Sequence, residues 1–356
     1  MKEALLAHLV CPACQAELDL TVTRRDAQEI LEGNLTCRGC GRRYEIVRAV
    51  PRILAGELAA DKQKTADAFS WQWQHFVEMH ERYEEQFLDW IHPIQPAFFK
   101  DKLVLDAGCG IGRHAYFAAR YGAKDVVAMD LSGAVETAFR NIGSLPNAHV
   151  IQADILAPPF RRAPGQFDFI YSIGVLHHLP DPEAGFRSLV SCLRSGGTIF
   201  GWVYGHENNA IVHRLIDPFR RTVTTRMAPP VLRTVAFPLA VVMHGLIKTV
   251  YRPLRGTAAI RRLPAHAYLL SLGDFTFRQN YNIVFDHLVA PTAFYIKREE
   301  FEAWFTRAGL QGIELSWRNQ NSWRGRGQAK SPSPVGGEGP SKSPSPARGG
   351  GQGGGS

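Results

Sequence analysis

Leu103–Ala115, LVLDAGCGIGRHA, is the stretch on which the reading of this chain turns. A short strand-like run reaches Asp106, glycines stand at 108, 110 and 112, and a helical pattern begins at Arg113. That order predicts a strand, a tight turn and a helix start, the geometry that holds a nucleotide-like ligand against backbone N–H groups at a helix N-terminus. A dinucleotide fingerprint would carry its third glycine at position 113, where this chain has Arg113. Asp106, just ahead of the glycines, would oppose a pyrophosphate but suits a ligand bearing an ammonium and a sulfonium.

S-adenosylmethionine is such a ligand, and the following segments fit it. Asp125–Asp130 reads as a second strand ending in an acid about twenty residues past the turn, the spacing at which a carboxylate accepts from a ribose diol. Val150–Asp154 reads as a third strand ending in an acid, and Phe167–Ser172 as a fourth. Leu193–Gly197 leads into a fifth at Thr198–Tyr204. The expected fold class is α/β, a Rossmann-like sheet with helices on both faces.

Val104–His114, Asp130, Asp154, Ser172–Pro182 and Arg194–Gly197 resemble the successive motifs of class I S-adenosylmethionine-dependent methyltransferases. The nearest set is the type 11 family, which includes ubiquinone and menaquinone biosynthesis methyltransferases. The resemblance runs from about Asp101 to Tyr204 and resumes at Phe294–Leu310, ahead of an expected hairpin of Ile313–Trp317 and Asn321–Arg326. It implies S-adenosylmethionine as cofactor, with Asp106, Gly108, Cys109 and Gly110 at its amino-acid end. Asp130 and Leu131 would then meet the ribose, Asp154 and Ile155 the adenine, with Ser172 at the end of the fourth strand. A cap or turn role is the competing reading for each acid.

Four of the six cysteines form Cys11-Pro-Ala-Cys14 and Cys37-Arg-Gly-Cys40, with twenty-two residues between the pairs. Two residues between thiolates let both sulfurs reach one tetrahedral ion, so Cys11, Cys14, Cys37 and Cys40 are the expected ligands of a structural Zn2+. All four positions are thiolates, which leaves no open site for catalysis. Leu9–Pro12, the second CxxC, the Tyr44–Ile46 step and Pro51 resemble the zinc ribbon of the tRNA-methyltransferase activator family, which also occurs fused to bacterial methyltransferases. After the ribbon, Phe69, Trp71, Trp73, Phe76, Tyr83, Phe87 and Trp90 recur at helical spacing. They predict one or two amphipathic helices that pack on the main domain, or a cap in which Trp71 or Trp73 closes over the cofactor.

Formal net charge is +8 over 356 residues, which admits nucleic acid, anionic membranes or acidic small molecules as partners. Its location is more informative. Between His206 and Arg262 ten Lys and Arg face only Glu207 and Asp217, so this segment alone carries the chain's whole formal excess. Inside it Val235–Ile247 is almost entirely apolar, but it holds Pro238 and His244 and falls short of the ~20 residues that span a bilayer. A basic rim around an apolar run reads as a membrane-surface helix or a lid over a lipophilic or anionic acceptor. An added helical pair with a solvated basic face is the plainer reading, and an RNA-binding surface a third.

For the transfer itself, His177 and His178 follow the fourth strand at its carboxyl edge, and Asp286-His287 forms a second acid and histidine pair. The candidate proton acceptors are therefore His177, His178 and His287, with at most one of the adjacent pair facing the acceptor and a structural histidine the alternative. Cys109 and Cys192 are poorly placed for nucleophilic catalysis. The N-terminal apolar run, broken by Glu3 and His8, is too short for a secretory signal, which makes a cytoplasmic protein the expectation, peripheral to the inner face of the membrane if the insertion docks there.

These readings divide the chain into a zinc ribbon at 1–56, a helical linker or cap at 57–100 and a methyltransferase domain at 101–327 with a basic helical insertion at 206–292. A Gly/Ser/Pro-rich tail at 328–356 is expected to be disordered. The expected function is methyl transfer to a small-molecule or lipid-linked acceptor. The alternatives are an RNA methyltransferase that uses ribbon and insertion as a basic platform, and a silent methyltransferase fold acting as a scaffold. The sequence leaves acceptor atom and oligomeric state open.

Overall fold

The structure, a computed structural model, describes residues 1–331 except 28, 81 and 211, together with residues 353–355. The expected disordered tail lies almost entirely outside the described residues. Its first residue, Gln328, instead closes the last strand.

The ribbon begins with β1 (Leu18–Asp26), β2 (Glu29–Cys37), β3 (Arg43–Val47) and β4 (Val50–Ile53), joined as an antiparallel meander. It is not a bead on a string. Arg52 and Ile53 of β4 pair in parallel with Gln152 and Ala153 of the main sheet, and Lys2 Nζ donates to the carbonyls of Gly143 and Ala148. Leu5, Leu9, Ile30 and Leu35 of the ribbon belong to the same apolar core as Leu105, Ile151 and Ile199. The aromatic linker forms two helices, α1 (Ala60–His75) and α2 (Tyr83–Trp90).

The main sheet is built from β5 (Leu103–Ala107), α3 (Arg113–Arg120), β6 (Asp125–Asp130), α4 (Ala134–Ile142), β7 (Ala148–Ala153), β8 (Phe167–Ile173), α5 (Pro182–Val190) and β9 (Leu193–Tyr204). Strand residues alternate between two buried faces. Leu105, Val127, Ile151 and Ile170 pack into one apolar core, and Val104, Val126, Val150 and Phe169 into another. Burial on both faces is why these strands read as near-continuous apolar runs.

The inserted segment folds as α6 (Asp217–Thr222), α7 (Pro229–Leu246), α8 (His266–Ser271) and α9 (Phe277–Val289). A π-helical turn, Ile247–Tyr251, extends α7, so the continuous helix has 23 residues and is long and apolar enough to cross a membrane by length and composition. This corrects the expectation that the apolar run is too short and broken. Pro238 sits inside the helix, and His244 Nδ1 is satisfied by Asn280 Nδ2 at 3.0 Å. The helix nonetheless lies on the body, with Leu232, Ala236 and Ala240 buried against Phe76, Tyr281 and Phe285.

After the insertion come α10 (Arg298–Arg307), β10 (Gln311–Arg318) and β11 (Ser322–Gln328). The glycines that make the last strand hard to read are there for space. A Cβ at Gly325 would stand 2.8 Å from both Phe301 and Phe305 of α10. Among the described residues the sheet has eleven strands in the order β1-β2-β3-β4-β7-β6-β5-β8-β9-β11-β10, with β7, β6, β5, β8 and β9 parallel. The winding direction reverses between β5 and β8. A crevice at the carboxyl ends of the strands is expected there, and that is where the glycine turn lies.

Candidate cofactor and acceptor cavity

The turn after β5 is held open by backbone geometry. Gly108 and Gly110 have φ of +90° and +52°, and a Cβ at Gly108 would overlap the Val175 side chain that follows β8. The amides of Gly108 and Cys109 donate to the Met129 carbonyl at 2.7 and 3.0 Å, which clamps the turn onto the end of β6. Asp130 completes the clamp: its Oδ2 accepts from the Gly110 amide at 2.8 Å, and its Oδ1 from the Ser132 amide and hydroxyl at 2.8 and 2.7 Å. Burial raises the Asp130 pKa, and these donors oppose the rise. The Cys109 thiol is buried, and desolvation with the charge of Asp130 pushes its pKa well up, so it stays a thiol.

Beneath this turn opens a cavity of about 940 Å³. Gly108, Cys109, Gly110, Asp130, Leu131, Asp154 and Ile155 lie along one wall. Asp106 and Ser172 do not. A strand alternates its side chains, and Asp106 shares the face of Val104, beneath the turn, where it is 1% exposed and its Oδ2 has no partner. Burial, followed by the nearby Asp130 charge, raises its pKa to about 7. Ser172 Oγ is likewise buried and donates to the Ala107 carbonyl at 2.9 Å, fixing β8 to β5. The side chains of Asp106 and Ser172 are thus buried outside the cavity wall, and Ser172 ties β8 to the end of β5.

Helix α1 closes the cavity from above. Lys62 pairs with Asp154, Ser70 Oγ accepts from the Gly133 amide at 2.7 Å, and Thr137 Oγ1 donates to the Trp73 carbonyl at 3.1 Å. Of the two tryptophans considered as covers, Trp73 reaches the wall, 3.5 Å from where a Gly110 Cβ would be. Trp71 instead stacks on His75 and packs against Phe285. Sequence reading missed Arg113. Its guanidinium lines the cavity among the rings of Trp73, Tyr83 and Trp90, at 5.6, 5.0 and 5.2 Å from their centroids. The signal available was a cation in the first helical turn of a glycine loop, with aromatics upstream at helical spacing.

The opposite wall comes from the insertion, with Leu239, Met243, Leu269, Leu272, Phe275 and Ile283 among its apolar residues. Polar groups converge between the walls. His178 lines the cavity, and its Nδ1 stands 2.6 Å from the Thr292 carbonyl. A carbonyl only accepts, so the proton is on Nδ1 and the Nε2 lone pair is free. Burial lowers the His178 pKa and keeps the ring neutral. His177 is outside the wall, its ring centroid 3.9 Å from that of Tyr204 at a tilt of 33°, with both ring nitrogens unpartnered. Asp286 and His287 both line the cavity but serve separate partners: Asp286 accepts from Gln72 Nε2 at 2.9 Å and from the Tyr204 hydroxyl at 3.4 Å. His287 Nε2 is 3.0 Å from the Tyr268 hydroxyl.

In the ribbon, the Sγ atoms of Cys11, Cys14, Cys37 and Cys40 all lie within 4.8 Å of one another. Cys11 and Cys40 are 3.7 Å apart and Cys14 and Cys37 3.3 Å, against about 3.8 Å for the edge of a zinc–thiolate tetrahedron. The amides of Gly39 and Cys40 point at Cys37 Sγ, at 3.3 and 3.4 Å, and the Tyr44 hydroxyl is 3.1 Å from Cys11 Sγ. The donor set and its supports fit structural zinc.

Residues 105–201 match the family described as methyltransferase domain, and residues 2–48 the Trm112p-like protein family. The chain joins a Trm112p-like domain to a methyltransferase domain. Among curated relatives of the methyltransferase domain, a tRNA U34 carboxymethyltransferase of Cellvibrio japonicus is 34% identical over 106 residues, 29% of this chain and 33% of that protein. A ubiquinone biosynthesis O-methyltransferase of Ralstonia nicotianae is 33% identical over 117 residues, 32% of this chain and 47% of that protein. The chain thus spans less than half the length of these relatives. Among solved structures, a complex containing the Haloferax volcanii Trm112 methyltransferase activator aligns over 76% of this chain and 98% of that chain, at 14% identity and a TM-score of 0.43.

Proposed function

We propose that this protein transfers a methyl group from S-adenosylmethionine to a small-molecule or lipid-linked acceptor held in the half of the cavity walled by α7, α8 and α9. The observation that carries the reading is the shared cavity: the glycine turn and Asp130 form one side, and the apolar insertion forms the other. When bound, S-adenosylmethionine supplies an electrophilic methyl on a sulfonium for in-line displacement.

Asp130, at the end of β6, presents a carboxylate to a ribose diol. Arg113, in the cavity wall, would offer a cation to the cofactor's carboxylate, and its aromatic surround fixes the guanidinium without cancelling its charge. The cover formed by α1 excludes water from the reacting centre. Neutral His178, with its Nε2 free, accepts a proton from an oxygen, nitrogen or acidic carbon nucleophile. The apolar wall desolvates the acceptor and holds it in line with the methyl, and such positioning supplies much of the acceleration in a displacement.

Incubating the purified protein with methyl-labelled S-adenosylmethionine and separate lipid, RNA and metabolite fractions tests this function. Label entering the lipid or metabolite fraction supports it. Label confined to RNA, with steeply salt-dependent RNA retention, would replace it with a nucleic-acid acceptor. Cofactor binding with no label transferred to any fraction would point to a silent scaffold.

A further inference from the structure

Helix α7 and its π-helical extension touch the body through a narrow stripe, Leu232, Ala236, Ala240, Ile247 and Tyr251, which follows helical spacing. The remaining surface is apolar and open to solvent, with Val231, Val241 and Val242 opposite the stripe and Phe237, Leu239 and Leu246 on its flanks, Phe237 edge-on to Phe277 and Tyr281. Val231, Phe237, Leu239, Val241, Val242 and Leu246 are all exposed, Val242 at 61%, and no Asp, Glu, Lys or Arg lies among the outward positions from 234 to 246. Lone exposed apolar residues are ordinary, but six along one helix form a patch of the kind that marks an interaction surface.

Charge identifies the occupant. Arg226 just before the helix, and Arg261 and Arg262 beyond its extension, are exposed and make no ion pair among the described residues. The surrounding segment, His206 to Arg262, carries a net +8. Two copies apposed on this face would bring those positive segments together. Phosphates of RNA would find cations, but the face is mostly aliphatic and its central ring, Phe237, is engaged edge-on with Phe277 and Tyr281, a poor stacking platform for successive bases. An apolar strip flanked in the chain by exposed arginines matches an anionic bilayer surface, in which such a helix lies in the plane with its apolar face in the headgroup and acyl boundary. Spanning the bilayer would require the buried stripe to leave Tyr281 and Phe285 of α9.

The docking face is also the cavity's rim. Leu239 and Phe219 line the cavity while remaining 46% and 41% exposed, and Met243, one turn after Leu239, lines it from the same helix. We propose that the outward face of α7, with Arg226, Arg261 and Arg262, seats the protein on an anionic lipid bilayer, and that the cavity takes from it an acceptor with an apolar tail and a polar head directed towards His178. The acceptor half of this inference rests on the methyl-transfer reading; the docking half stands without it.

Flotation of the full chain with vesicles of phosphatidylcholine, with and without phosphatidylglycerol, tests the docking, alongside S-adenosylhomocysteine titration of the same preparations. The expected result is co-flotation with the anionic vesicles only, weakened by salt. Arg261→Gln and Arg262→Gln should each cost about fivefold in partitioning, and Val231→Glu with Val242→Glu about tenfold or more. All four residues lie outside the cavity wall, so ligand binding serves as the check that each variant is folded. No flotation by a wild-type protein that binds S-adenosylhomocysteine would overturn the docking and leave methyl transfer standing. Flotation without ligand binding would overturn methyl transfer, and the acceptor half with it, while the docking stands. Self-association that disappears with Val242→Glu, in place of flotation, would reassign the face to a second copy and overturn the inference.

Discussion

The Gly110 amide donates to Asp130 Oδ2 at 2.8 Å, so the carboxylate expected to meet the cofactor also holds the turn that receives it. One residue therefore sets both a ligand contact and the loop shape. Asp130→Ala is expected to weaken S-adenosylhomocysteine binding about a hundredfold, the scale of two hydrogen bonds to a charged group. Asp130→Asn, which keeps one acceptor, should cost about tenfold. Titration calorimetry measures both, and unchanged affinity in the alanine variant would remove Asp130 from the site.

Arg113 makes a separable prediction. Arg113→Met keeps most of the bulk among Trp73, Tyr83 and Trp90 but removes the cation. Binding of S-adenosylhomocysteine should fall about tenfold, the loss of one charge-assisted contact. An analogue lacking the amino-acid carboxylate should bind wild type and variant alike. Equal losses for both ligands would make Arg113 a packing residue.

The two adjacent histidines should behave differently. His178→Ala is expected to lower kcat/KM by about a hundredfold to ten-thousandfold, the range of a general base. His177→Phe, behind Tyr204, should keep most turnover. Burial depresses the His178 pKa, so its base form persists below the ordinary imidazole value of 6.5, and activity is lost only as pH falls through the depressed value. A kcat/KM profile that stays flat through pH 6.5 and falls only at lower pH is the expected result; an acid limb at or above pH 6.5 would count against His178 as base.

Asp106 and the buried histidines pull stability in opposite directions with pH. His114, His177, His178 and His287 have depressed pKa values, so below 6.5 the unfolded chain binds more protons and stability falls as pH falls. Asp106 is raised from 3.8 to about 7, so between those values the folded chain binds the extra proton and stability falls as pH rises. Asp106→Asn should therefore stabilise the protein more at pH 8 than at pH 5, by a difference on the order of 2 kcal/mol. Denaturant unfolding at the two pH values measures it, and an equal effect at both would contradict a protonated Asp106.

Zinc content links the ribbon to the main sheet. One equivalent of zinc per chain is expected by elemental analysis, and Cys37→Ala should abolish it. Because β4 pairs with β7, metal loss should speed hydrogen exchange at Ile53 and Ala153 as well as within the ribbon. Full protection in a metal-free variant would make the four cysteines a packing cluster.

The wall proposed for the cofactor was legible in the sequence because it is local. The turn, Asp130 and Asp154 each sit at the end of a short apolar strand, and chain order alone places such ends side by side in a parallel sheet. Asp106 misled because the two-residue period of a strand turns its side chain under the turn. Pro238 misled because an apolar helix resting on a neighbour tolerates an internal proline. On the acceptor side, His178, His287 and the insertion could be named from the sequence but not placed together with Tyr268, because they come from separate segments that only tertiary packing brings to one cavity. The cage around Arg113 has the same cause, being assembled by α1 and α2 onto α3.

The cavity walled by the glycine turn is proposed to bind S-adenosylmethionine. Calorimetric titration of the intact protein with S-adenosylhomocysteine tests it most directly, with Gly108→Arg as the control that fills the turn. One site per chain in the wild type, absent from a Gly108→Arg protein that keeps its circular dichroism spectrum, is the predicted result. No heat of binding in the wild type, or undiminished binding in the folded variant, would contradict it.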